Sequence, residues 1–110
     1  MRTVTFLVPI LSLTAACSTA AYAAGDVNAG KTAYESRCKS CHGEKGVANP
    51  AIVKMMKTQI PDLGSSAVQK LTDKELEKVI TQGKGKMPAI RTLQGKAVDE
   101  VVAYMRTLKK

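Results

Sequence analysis

The sequence predicts an all-α fold, and three observations carry that prediction. Apolar residues recur at three- and four-residue spacing in several segments. Helix-starting and helix-ending residues bracket those segments. No stretch alternates with period two over a useful length, so no sheet is expected. In a helix, residues i, i+3 and i+4 share one face, so this spacing buries side chains together only if the segments are helical.

The amino-terminal segment is set apart from the fold. After Arg2 comes an apolar run, Val4 to Ala16, too short to span a bilayer comfortably. The following "CSTAAYAAGD" contains Ala21-Tyr22-Ala23, a small-x-small pattern. Residues 1–24 therefore read as a secretory signal peptide cut near Ala23 or Ala24, with an uncleaved anchor helix as the alternative. Cys17 follows "LTAA", a context resembling lipoprotein processing sites, although Leu13 lies four residues before it and Thr14 three. A lipid anchor at Cys17 is thus the alternative to a Cys17 lost with the leader. Either reading places the mature protein outside the cytoplasm, in the periplasm or on the periplasmic side of a membrane.

Gly25 to Lys110 leaves 86 residues, enough for one domain. Without Arg2 there are 16 basic and 9 acidic residues, a net charge of +7. A chain this small buries little apolar surface and usually needs a staple, metal or cofactor.

Four helices are expected in order. The first runs from about Val27 to Lys39 behind Asp26, an N-cap whose charge suits the positive end of the dipole. Gly30, Tyr34 and Cys38 are spaced by four and line one face. The second starts at Asn49, with Pro50 in the first turn where its missing N–H costs nothing, and ends before Pro61. It carries Ile52, Val53, Met55 and Met56. A short extra turn is expected around Ser65 to Lys70. The third opens on a capping box, Thr72 with Glu75, and shows Leu76, Val79 and Ile80 before Gly83. The fourth, Lys96 to about Lys109, places Val98, Val101, Val102, Met105 and Leu108 at helical spacing.

Chemistry concentrates in "RCKSCHG", residues 37 to 43, which holds the chain's single histidine. A thioredoxin-type dithiol wants a mixed α/β pattern around its C-x-x-C, and none is visible. Structural zinc needs four ligands, whereas Cys38, Cys41 and His42 make three. A Cys38–Cys41 disulfide would close a tiny loop and leave His42 unexplained. Covalent haem accounts for all three: two thiols bond the vinyl groups of one porphyrin edge, and the adjacent imidazole is the fifth iron ligand. With His42 used, thioether sulfur is the natural sixth ligand. Met105 sits on the apolar stripe of the last helix, and Met55 and Met56 suit packing around a porphyrin. Met87 lies in "GKGKMPAI", where glycines and Pro88 prevent helix, so a loop can carry its sulfur to the iron. Met87 is the expected sixth ligand, Met55 or Met56 the second choice, and an open site the remaining alternative.

"CKSCHG", "GKGKMPA" and the terminal "VVAYMRTL" resemble a small soluble class I c-type cytochrome over nearly all of the mature chain. The resemblance implies a compact fold in which the first and last helices cross, Gly30 and Tyr34 meeting Val101 and Tyr104, with one covalent haem c in a crevice. It also implies a proline carbonyl accepting the Nδ1–H of His42, with Pro50 or Pro61 as the match. The chain departs from many relatives in having no Trp.

Two protein axial ligands disfavour substrate binding at iron and favour one-electron transfer, the cofactor carrying the chemistry. The expectation is an electron carrier, not an enzyme. A five-coordinate haem protein with ligand-sensing or peroxidase activity is the alternative. Lys39 and Lys45 flank the attachment motif and Lys84 and Lys86 flank Met87, a basic rim suited to acidic redox partners. A monomer is expected. An aromatic-poor exported domain offers no stacking platform, so nucleic acid is not an expected partner.

Overall fold

A computed structural model describes residues 26–110. The expected leader and Cys17 lie outside the described residues. Six helices follow in order: α1 Val27–Arg37, α2 Lys39–His42, α3 Pro50–Met56, α4 Ser66–Gln69, α5 Asp73–Gln82 and α6 Lys96–Arg106. Among the described residues there is no β-strand, and a single bridge between Lys84 and Met87 is the only extended pairing.

Three of the starts are built by residues the sequence marks. The Asp26 carboxylate accepts from the Asn28 and Ala29 N–H groups, and the Asn49 side chain from Ala51. Thr72 and Glu75 close a reciprocal capping box around the first turn of α5. The first and last helices are shorter than expected. α1 breaks at Cys38, whose φ of −117° is too extended to continue it, and the chain restarts as α2. Beyond Arg106 the chain is drawn away from the helix axis toward the loop at 62–64. The Lys110 N–H donates to Gly64 O at 3.2 Å and the Lys110 ammonium pairs with Asp62.

The core forms where α1 crosses α6. Tyr34, Val98 and Val101 are fully buried, with Val102 and Met105 beside them. Each buried valine contributes about 1.5–3 kcal/mol relative to exposure. Gly30 makes the crossing close: a Cβ at this position would stand 1.8 Å from Glu100 O and 3.1 Å from the Cβ of Tyr104. The Tyr34 and Tyr104 rings pack with centroids 5.1 Å apart and planes tilted by 56°. α5 adds Leu76 and Ile80 to the same core.

A polar knot ties α6 to the segment at 63–73. The Arg106 guanidinium donates to Gln69 O at 2.9 Å, Leu71 O at 2.6 Å and the Asp73 carboxylate at 2.7 Å. The Gln69 amide donates to Leu63 O and Met105 O. These bonds hold the 63–73 segment as one wall of the cavity described next.

Candidate functional site

An apolar cleft with a cavity volume of about 120 Å³, partly open to solvent, lies between the 38–42 turn, α4, α5 and the loop after α5. Cys38, His42 and Met87 all line it. Its other walls are almost wholly hydrocarbon, from Leu63, Val68, Leu71, Leu76, Val79 and Ile80.

One helical turn positions the motif. The Cys38 carbonyl accepts from the Cys41 N–H at 3.2 Å and from the His42 N–H at 2.9 Å. Gly43 then ends the turn with φ of 74°, a conformation that side chains resist, and a Cβ there would meet Val47 O at 2.0 Å. Cys38 is buried and Cys41 half-buried, and both are free thiols. Cys41 is not among the residues lining the cleft.

Burial pushes the Cys38 thiol up to about 11, with the neighbouring Cys41 adding to the rise. A redox-active dithiol needs the opposite, a depressed thiol. Burial also lowers the pKa of His42, leaving the neutral imidazole that can ligate a metal. The His42 Nδ1 is buried with no hydrogen-bond partner. The expected proline carbonyl therefore makes no bond to it here. Pro50 is committed to opening α3 and lies outside the cleft, while Pro61 reaches the lining without accepting from the ring.

The loop carrying Met87 is a closed turn. Lys84 N–H donates to Met87 O at 3.1 Å, and Met87 N–H returns to Lys84 O at 3.0 Å. Gly83 and Gly85 take φ of 76° and 56°, and the Ile90 N–H fastens the exit to Ile80 O at 2.8 Å. The Lys86 ammonium binds the Met56 carbonyl, tying this turn to α3. Met55 is 70% exposed, and neither it nor Met56 lines the cleft. Met105 does line it, as part of the core.

Sequence reasoning missed two features of this site. Tyr34 is a cleft wall as well as a core residue, and Lys84 reaches the lining. Both were signalled by spacing, Tyr34 four residues before Cys38 and Lys84 three before Met87. Lys39, Lys45, Lys84 and Lys86 are exposed and pair with no carboxylate among the described residues.

Among the described residues no three His, Cys, Asp or Glu side chains converge as a metal cluster, which disfavours a zinc site. What the cleft offers is an apolar cavity, a neutral imidazole, a thioether and the Cys38 thiol at one edge, with the Cys41 thiol one helical turn further on, outside the lining. A flat apolar macrocycle carrying a metal, bonded at its edge, fits that set.

Comparison with known proteins agrees. Residues 25–105 match the sequence profile of cytochrome c oxidase, cbb3-type, subunit III. Cytochrome c6 from Rippkaea orientalis (strain PCC 8801 / RF-1) is 31% identical over 84 residues, covering 74% of this chain and 70% of that protein. The solved KustC0563 c-type cytochrome superposes with a TM-score of 0.61 at 23% identity, over 74% of this chain and 98% of that one, a likeness of fold.

Proposed function

The chain belongs to the cytochrome c family and carries one covalently bound haem c as an electron-transfer protein; on that premise we propose that Cys38 and Cys41 form the thioether bonds and that His42 and Met87 are the axial ligands. The observation that carries the reading is that His42 and Met87, far apart in sequence, line the same apolar cleft with Cys38. The haem supplies a metal that takes up and releases one electron. This chain's residues do the rest. Leu63, Leu76 and Ile80 exclude water, and the turn at 83–87 and the helical turn at 38–42 fix the two ligating side chains. A firmly held pair of protein ligands keeps substrate from the metal, which suits outer-sphere transfer.

The exposed Lys39, Lys45, Lys84 and Lys86 form the docking rim for an acidic redox partner, at a rate that falls with ionic strength. Residues 1–24 serve as the export signal, so the mature protein works in the periplasm. No helix of the described residues is long and apolar enough to cross a membrane.

Met87→Ala tests the ligand set. Haem stays covalently attached, the reduction potential falls, and the ferrous protein gains carbon monoxide binding that the parent lacks. A variant matching the parent in potential and ligand affinity removes Met87 from the axial position.

A further inference from the structure

We propose that Lys86 is a positioning residue for Met87, its ammonium fastening the 84–87 turn to the end of α3; the inference rests on Met87 being the axial ligand. The Lys86 ammonium donates to the Met56 carbonyl across thirty residues of chain. Met56 is the last residue of α3, where the final carbonyls have no partner within the helix. At its other end α3 is bonded to the haem motif, the Asn49 N–H donating to Cys41 O at 3.2 Å. α3 and Lys86 therefore form a strap from the turn that carries His42 to the turn that carries Met87.

The strap matters because little else holds the second turn. Gly83 N–H donates to Val79 O at 2.9 Å and Ile90 N–H to Ile80 O at 2.8 Å, fastening its two ends to α5. Between those anchors the paired backbone bonds of Lys84 and Met87 close the turn on itself and reach no other element. Packing adds nothing at Gly85, where an added Cβ would meet no atom within 4 Å. Among the described residues, the Lys86 ammonium makes the one hydrogen bond that leaves residues 84–89 for another part of the chain. Met87 follows Lys86 directly, so a chain held at 86 limits how far the thioether can withdraw from the cleft. With that bond gone the turn is tethered only at its ends, and the thioether swings out more often.

Lys86→Gln removes the ammonium at an exposed position and leaves the core untouched. The isolated oxidised holoprotein is used, with no redox partner present, so a docking role of Lys86 does not enter. Imidazole displaces a thioether ligand, and at saturating imidazole the observed rate is that of Met87 withdrawal. In Lys86→Gln this limiting rate rises about threefold or more, and Lys86→Arg, which keeps a cationic donor, returns it to within about twofold of the parent. Lys54→Gln removes the same charge from an exposed position on α3 and, as the control, leaves the rate at its parental value. A Lys86→Gln rate within about twofold of the parent, or an equal rise in Lys54→Gln, overturns the proposal and leaves Lys86 a rim charge only. A second measurement needs no variant. In the reduced, diamagnetic parent the Lys86 ε-methylene protons show nuclear Overhauser contacts to Met56, and their absence refutes the strap. Parent protein lacking the near-infrared band of methionine–iron ligation refutes the axial assignment itself, an outcome distinct from a silent Lys86→Gln.

Discussion

Replacing Gly30 with alanine sets two well-measured effects against each other. On helix propensity alone, alanine in the interior of α1 stabilises by about 1 kcal/mol relative to glycine. Against this stands the crossing with α6, where the added Cβ would lie 1.8 Å from Glu100 O and 2.5 Å from its carbonyl carbon. Real Cβ atoms do not approach backbone within 3.0 Å, so the helices must part by more than an ångström. Nor can a rotamer change relieve it, because the obstructing atoms are main chain. Overpacking of this kind costs about 1–3 kcal/mol and occasionally more. Separation also loosens the Tyr34–Tyr104 pair and the valines behind it. A net loss of about 2 kcal/mol is expected, the clash exceeding the propensity gain. For a domain of this size that lowers Tm by about 8–16 °C. Thermal unfolding of the oxidised holoprotein, followed by far-ultraviolet circular dichroism, measures it. Ser36→Ala, at an exposed position of the same helix, serves as the neutral reference. A Gly30→Ala protein that melts at or above the parental temperature refutes the close crossing.

Two further outcomes follow from the polar contacts. Arg106→Ala leaves the carbonyls of Gln69 and Leu71 without their charged donor and should cost about 1–3 kcal/mol, read as a lower urea midpoint, with Arg106→Lys recovering less than half because an ammonium lacks the planar fork. The Asp62 carboxyl is held below the usual carboxylate range, first by the hydrogen bond from Lys110 and then by the Gly64 N–H. Since its folded pKa is depressed, its stabilising effect is complete above the ordinary carboxylate range and is lost as pH falls through the folded value. Asp62→Asn should therefore flatten the acid side of the stability–pH profile while leaving its slope near neutrality unchanged, and high salt should shrink the difference between the two proteins.

The parts of the fold legible in the sequence are those fixed by near neighbours. The capping box at Thr72 and Glu75, the Asp26 and Asn49 caps and the stripe from Val98 to Met105 are local patterns, and each stands where expected. Helix ends set by distant contacts were misjudged. α6 stops at Arg106 because Lys110 is captured by Gly64 and Asp62, a pairing no window around the helix contains. The Arg106 fork was invisible for the same reason, as two of its partners are backbone carbonyls far away in the chain. At the site, two glycines beside Met87 marked a turn instead of a helix, and the turn brings that residue to the cleft. The expected proline acceptor failed because a residue's identity says nothing about where its carbonyl points.

The widest packing surface in this domain joins its first helix to its last. Such an arrangement cannot be assembled piecemeal during synthesis. Until α6 has left the ribosome, α1 has no partner for its buried face, and closing the long intervening loop must precede any reward from the contact. Throughout that interval the Cys38 thiol, buried in the folded domain, stays open to reaction.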